Sequence, residues 1–318
     1  LQSANAQSGT PAASPAADGE WSFTDDKNVT VTLPQRPVRV VADINTAAAL
    51  WDFGVRPVAV FGWNVAADGS FNAAAGNVDP KAVEIVGNAT VTIEPEKVAA
   101  VQPDLIVTLT FGPDNPDDYW SFMDHNVIEQ VKQIAPIVAI SGILRADEAV
   151  KRFGDLAAAL GIDLESSTVA QDQAAFTAAS NDFTAAVKGK SGLTAMFVAP
   201  TTEEFYIANP KIAGDIQFFR NLGLEIPDVD TVNPTDYWET LSWEQSLKYE
   251  TDVIFVSSRD PNAQDLLTSN AAFSKQPAVK AKQLGPWNQD FVLSYPGMTT
   301  ILNGLLDTIK PAKADVVS

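Results

Sequence analysis

The chain has 318 residues, 46% of them hydrophobic and 19% charged, with 40 acidic against 21 basic side chains and a formal net charge of −19. That length supports two domains with real cores, and that charge argues against nucleic acid or an anionic membrane surface as a partner, since both demand Lys and Arg. With no cysteine and a single histidine, His125, the usual Cys/His zinc sites and thiol nucleophiles are excluded and a Ser-His-Asp triad is disfavoured.

Residues 1–20 are Ala, Ser, Gly, Pro and Gln with almost no large apolar side chain. Such a segment cannot offset its ordering entropy and is expected to be a disordered tether. No apolar run approaches the ~18 residues of a membrane span. Leu1-Gln-Ser-Ala4 places alanine where a lipoprotein signal, Leu-x-x-Cys, carries its cysteine, so Ala4 reads as a replaced anchor residue.

Alternation from Trp21 to Leu33 predicts an edge hairpin. Pro37–Asp43 reads as a buried strand, followed by a helix capped at Asn45 or Thr46 and ended by Gly54. Pro57–Gly62 is the next strand and delivers Trp63 and Asn64 at its end. The stretch Glu96-Lys-Val-Ala-Ala-Val-Gln-Pro-Asp104-Leu-Ile-Val predicts a short amphipathic helix, a tight turn and a strand buried on both faces. Thr108, Thr110 and Phe111 lie at or just past that strand's end. A polar, Pro-rich segment, 112–120, leads to helices over 122–134 and 147–160 with a strand at 137–140 between them.

Residues 164–188 lack Gly and Pro and place Val169, Phe176, Phe183 and Val187 on one helical face. They predict one helix of ~25 residues, about 37 Å long. Beyond it, strands are expected at 193–198 and 204–207, and a helix at 212–222. Glu244-Gln-Ser-Leu-Lys-Tyr-Glu-Thr-Asp252-Val-Ile-Phe then repeats the earlier pattern, with Ser242 as its N-cap. A last strand at 291–295 and a closing helix at 297–309 complete the prediction.

The two glutamate-to-aspartate stretches lie about half a chain apart, which suggests two similar α/β lobes. Together with the run from Phe23 to Gly62, they resemble the lobe signatures of class III bacterial substrate-binding proteins, the iron-siderophore and cobalamin receptors of ABC importers. Thr251, where that family usually has proline, and the inserted look of 112–120 depart from it. The resemblance implies two Rossmann-like lobes with central, mostly parallel sheets joined by one long interdomain α-helix. The tether would be 1–20, the N-terminal lobe 21–162, the helix 163–189 and the C-terminal lobe 190–318. It also implies an extracytoplasmic, lipoprotein or periplasmic monomer whose Glu96 and Glu244 dock on a membrane permease. Read alone, each glutamate is an ordinary acidic residue in a helix's first turn.

Ligands of open α/β sheets sit at the carboxyl ends of strands. The candidate ligand-binding residues are therefore Trp63, Thr108, Thr110, Phe111, Tyr206, Trp238, Arg259 and Tyr295. Each aromatic has a competing reading as ordinary packing, and Trp51, in an Ala/Leu helix, reads as core. Strongly anionic chelates want clustered arginine, and only Arg259, with Arg145 behind it, is placed to serve. A ferric siderophore of hydroxamate type is therefore favoured, with haem or cobalamin as alternatives. No cofactor and no protein metal site are expected, iron being held by its chelator. An α/β enzyme is the rival class, but the chain has no GxGxxG after its first strand, no Walker lysine and no GxSxG elbow. The acidic pairs Asp25-Asp26 and Asp117-Asp118 read as solvated turns rather than acid–base machinery. A scaffold that keeps the fold without a ligand is the third reading.

Overall fold

The computed structural model describes residues 19–317. The expected tether as far as residue 18, and with it the reading of Ala4, lies outside the described residues.

The chain opens with an antiparallel hairpin, β1 (Trp21–Thr24) and β2 (Thr30–Leu33). The N-terminal lobe follows: β3 (Val40–Asp43), α1 (Ile44–Phe53), β4 (Ala59–Phe61), β5 (Glu84–Ile85), α2 (Pro95–Ala100), β6 (Leu105–Thr110), α3 (His125–Lys132), β7 (Ile137–Ser141) and α4 (Ala146–Ala159). Its sheet runs β5-β4-β3-β6-β7 with every neighbouring pair parallel. All six residues of β6 are buried, as expected of a central strand covered on both faces. A long helix, α5 (Ser167–Lys188), then leads to the C-terminal lobe. There β8 (Ala195–Pro200), β9 (Phe205–Ala208), α6 (Gly214–Asn221), β10 (Trp238–Leu241), β11 (Val253–Ser257), α7 (Ala263–Ser269), α8 (Pro277–Lys280), β12 (Leu284–Trp287) and α9 (Tyr295–Ile309) follow in order. The second sheet runs β10-β9-β8-β11-β12, with β8, β11 and β12 parallel and β9 antiparallel to both of its neighbours, β8 and β10.

The repeated aspartates have the same structural role in both lobes. Asp104 accepts from the backbone N–H groups of Val38 and Arg39, each at 2.9 Å. Asp252 accepts from the N–H and hydroxyl of Thr194, each at 2.9 Å. Each carboxylate thus fixes the start of the neighbouring strand, β3 or β8, against its own. The sequence repeat therefore encodes one clasp used twice.

Several sequence expectations need correction. Residues 243–248 form successive turns rather than a helix after Glu244, with Gln245 and Lys248 donating to the carbonyls three residues back. The Gln276 amide accounts for this: it donates to the carbonyl of Tyr249 at 2.8 Å and ties the segment off. Ser242 therefore caps no helix. The cap of α1 is Asp43, whose carboxylate accepts from Asn45 N, rather than Asn45 or Thr46. Trp51 packs against the core from its margin rather than within it, half-buried under the Arg56 guanidinium, 4.2 Å from the ring centroid.

The last strand is β12 at 284–287, not 291–295. Gly285 and Pro286 disguised it, but an edge strand tolerates proline, and Gly285 is needed because a Cβ there would collide with Thr308 of α9. The Asp25-Asp26 pair is not a solvated turn either, whereas Asp117 of the second pair is exposed. Asp25 accepts from Ala139 N at 3.1 Å and Asp26 from Ser141 N at 2.7 Å, while Arg152 pairs with Asp26 at 2.7 Å. Together they cover the open edge of β7, a place where an unpaired ladder would invite aggregation.

Helix α5 spans 22 residues, roughly 33 Å. It packs along α9, burying Val169, Ala179, Phe183 and Val187. Phe176 stacks on Phe218 of α6 at 5.6 Å, and Phe183 lies 5.9 Å from Phe219. One continuous apolar cluster runs from α1 and α4 through α5 into α6, α9 and β8, while separate clusters cover the outer face of each sheet.

Candidate functional site

In each sheet the chain reverses its direction of travel between two adjacent strands, β3 and β6 in one lobe, β8 and β11 in the other. The loops leaving the carboxyl ends of such strands form a crevice. Here the two crevices open onto a shared seam. The turn after β4 presses Gly76 against Val292 in the loop after β12. The loop after β7 meets the start of α6, where Gly214 abuts the Leu144 carbonyl. Asp52 accepts from the Ser294 hydroxyl across the same boundary.

The N-terminal wall carries Trp63, 42% exposed, and Phe111, 38% exposed. Phe111 meets Trp120 edge-on at 5.1 Å and lies against Gly142, where any Cβ would strike its ring. The polar segment after β6 is wound rather than loose. Asp118 gathers the Thr110 hydroxyl at 2.7 Å, Phe111 N at 2.6 Å and Gly112 N on one oxygen, so that oxygen is satisfied by the protein. Lys27 of the hairpin donates to the carbonyls of Pro113 at 3.4 Å and Asp118 at 3.3 Å. A row of amides steadies the next loop: Asn64 donates to Asn45 at 3.0 Å and Asn72 to Asn64 at 2.8 Å.

Beneath this wall lies Asp43. Its carboxylate accepts from Ser121 Oγ at 2.7 Å and Asn45 N at 3.0 Å. Gly62, at φ +119°, leaves room for it. Complete burial pushes this carboxyl up to about 7, against the opposing effect of those hydrogen bonds.

The C-terminal wall is a hollow of about 260 Å³ lined by Thr201, Tyr206, Trp238, Ser257, Arg259 and Gln289, among others. Trp238 meets Tyr206 edge-on at 6.1 Å and is backed by Trp287 at 6.1 Å. Arg259 is held on three sides. Its Nε donates to Asp290 Oδ2 at 2.8 Å and its Nη2 to Asp290 Oδ1, and its Nη1 donates to the Gln289 oxygen at 2.6 Å once that amide is turned to the orientation that satisfies both of its ends. Arg145 is likewise taken up by Asp147 at 2.6 Å and Glu148 at 3.2 Å. A larger hollow of about 400 Å³ lies beside this wall, between Asn77 and Asn288, along α9. Its lining includes none of the sequence-predicted residues, although Ser258 and Asn288 in it directly follow β11 and β12.

The structure therefore brings Tyr206, Trp238 and Arg259 into one hollow and places Trp63 and Phe111 on the wall of the other lobe. Three candidates turn inward. Thr108 and Thr110 are wholly buried, and the Thr108 hydroxyl donates to the Trp120 carbonyl at 2.7 Å, so both threonines hold the loop that bears Phe111. Tyr295 begins α9 and packs on Phe53 at 5.5 Å and Phe176 at 5.7 Å. It belongs to the lobe junction because the strand expected to present it is a turn.

Sequence reasoning missed Trp120, Gln289 and Asp290. The signal for Asp290 was its position just after an apolar strand, hidden with the strand itself. His125 is exposed and bonded to Asp117 at 2.8 Å, which raises its pKa. Among the described residues no three His, Cys, Asp or Glu side chains converge as a metal site, and no helix is long and apolar enough to cross a membrane.

Glu96 and Glu244 are both exposed. Each precedes an interior strand of its lobe, β6 or β11, by a reversed segment, which puts both toward the carboxyl ends of the sheets. The Glu244 carboxyl lies below its ordinary range, held there by its own backbone N–H and then by the Ser242 hydroxyl.

A family model described as "Periplasmic binding protein" matches residues 48–290. Among solved structures, DesE, a ferric-siderophore receptor protein from Streptomyces coelicolor, is 31% identical over 92% of this chain and 99% of its own, with a TM-score of 0.81. Staphylococcus aureus SirA complexed with staphyloferrin B is 21% identical over 92% of this chain and 99% of its own, at a TM-score of 0.64. Streptococcus pneumoniae PiaA in complex with ferrichrome is 17% identical over the same shares, also at 0.64. The last two share the fold. No curated protein matches the chain in sequence.

Proposed function

We propose, from the premise that this chain belongs to the periplasmic binding protein family, that it captures a ferric siderophore between its two lobes and delivers it to an ABC permease. It is a binding protein and not an enzyme, and the family places it outside the cytoplasm. A siderophore ligand is supported by DesE, described as a ferric-siderophore receptor protein. Placement as a cell-surface lipoprotein or in the periplasm, and action as a monomer, belong to the same proposal.

The reading favours a neutral or weakly cationic chelate, of which ferric hydroxamates are the type. One observation carries it: Arg259, the arginine of the hollow, is already neutralised by Asp290. A polyanionic chelate would need a guanidinium free to make two-pronged bonds. What the hollow offers instead is aromatic surface, Trp238 and Tyr206, which gives contact area and a few hydrogen bonds at low entropic cost. Ferric iron is cargo in this reading and stays within its chelator. The walls are held by hydrogen bonds before any ligand arrives, so little ordering entropy is lost on capture.

Glu96 and Glu244 are proposed to meet basic residues of the permease, where such charges govern orientation and association rate. Titrating the intrinsic tryptophan fluorescence with ferrichrome, ferric citrate, haem and cobalamin tests the whole reading. Submicromolar quenching by ferrichrome supports a hydroxamate receptor. Preferential response to haem or cobalamin transfers the site to that ligand, and silence across the panel refutes capture. The Glu96→Ala, Glu244→Ala double variant is expected to titrate like the wild type yet fail to stimulate its permease in vesicles. Undiminished stimulation would remove docking from these residues.

A further inference from the structure

We propose that Asp290 is a specificity-determining residue: by holding Arg259 in a two-pronged ion pair, it excludes polyanionic ferric chelates from the cleft. This rests on the reading of the hollow as the chelate site. Asp290 and Arg259 leave the carboxyl ends of neighbouring strands, β12 and β11, so the pair sits at the mouth of the C-terminal wall. The two members are unequal. The Asp290 side chain is only 9% exposed, whereas that of Arg259 is 56% exposed. The carboxylate is thus the fixed member, set from behind by a turn in which Asp290 N donates to Asn288 Oδ1 at 3.0 Å. With the Gln289 amide turned to the orientation that satisfies both of its ends, its oxygen accepts from the remaining Nη1 at 2.6 Å, and each nitrogen of the guanidinium then has a protein partner on the side facing β12.

An arginine at this position without its acid would be a ready anchor for a catecholate or carboxylate oxygen. With the acid, the pair contributes no net charge, and Asp260, which lines the hollow beside Arg259, brings the three groups together to a net negative charge. Discrimination among ligands then comes from withholding attraction as much as from offering it. The alternative role for Asp290 is purely geometric, aiming the guanidinium at a neutral ligand. The two roles predict opposite responses to an anionic probe.

The test compares Asp290→Asn with the wild type. Asparagine keeps the shape and one acceptor while removing the charge. Affinities are measured by fluorescence titration at low and high salt for ferrichrome and for ferric enterobactin, a trianionic tricatecholate. Removal of the acid should tighten ferric enterobactin on the order of tenfold at low salt, with the gain shrinking as salt rises. Adding Arg259→Gln to Asp290→Asn should erase the gain. Asp290→Ser serves as a second neutral variant, so that a folding defect of one side chain, read from its melting temperature, does not decide the matter. Ferric enterobactin bound no more tightly by both neutral variants than by the wild type overturns the proposal. Wild-type binding of ferrichrome is scored separately: its absence counts against the proposed function, while the variant-to-wild-type ratio for the trianion still decides the role of Asp290.

Discussion

Asp43 shows how one residue can organise a binding wall. It ends β3, caps α1 and holds Ser121 of the segment that carries Trp120, while Gly62 makes room for it ahead of Trp63. Folding raises its pKa from 3.8 to about 7 through burial. The folded chain therefore keeps this proton across a range in which the unfolded chain has lost it. By linkage, the group's contribution to stability falls as pH climbs from about 4 to about 7 and levels off above that, by up to about 4 kcal/mol. Asp43→Asn keeps both hydrogen bonds, the amide donating to Ser121, and removes the titration. Urea midpoints from pH 5 to pH 8 should fall in the wild type relative to the variant, and parallel curves would contradict this. None of it was legible in the sequence, which offered Asn45 and Thr46 as caps. The same holds for Asp25, Asp26 and Asp118. A carboxylate in a polar turn looks solvated until the backbone N–H groups that satisfy it, here from Ala139, Ser141 and Phe111, arrive from other elements. Trp63 and Phe111 were legible because a large aromatic side chain directly after an apolar strand has few places to go but the mouth of the sheet.

At the level of elements, the long apolar runs and the glycine ends were readable. Gly54 and Gly223 close α1 and α6 at positive φ, as expected of chain reversals only glycine enters freely. The segment after Glu244 was misread because its helical spacing is real but is overridden by tertiary hydrogen bonds from Gln276. β12 was missed because glycine and proline are poor strand formers, and only the close approach of α9 explains Gly285. Gly214 is a similar case with a testable consequence. It starts α6 where the helix meets the N-terminal lobe, and a Cβ there would collide with the Leu144 carbonyl. Because backbone rather than a flexible side chain is struck, Gly214→Ala should cost about 1–3 kcal/mol in urea denaturation. Gly304→Ala in α9, with nothing within 4 Å of the added methyl, should instead gain about 0.5–1 kcal/mol. Equal effects of the two changes would show that the contact between lobes is slack.

For the molecule as a whole, duplication was the most readable feature, because both copies keep the aspartate clasp and the buried strand after it. What the sequence concealed is that the lobes share an apolar core through α5, α6 and α9. Periodicity gives each helix a buried face without naming the element that covers it. A shared core makes the lobes jaws of nearly fixed spacing, suited to a rigid chelate that touches both. The account therefore stands on one ligand gripped from two sides. Calorimetric titration of ferrichrome into the wild type, Trp63→Ala and Tyr206→Ala measures this directly, since one side chain belongs to each lobe. We expect 1:1 binding by the wild type and an affinity loss on the order of tenfold or more in each variant. Affinity unchanged in both variants, or lost in only one, would contradict capture between the lobes.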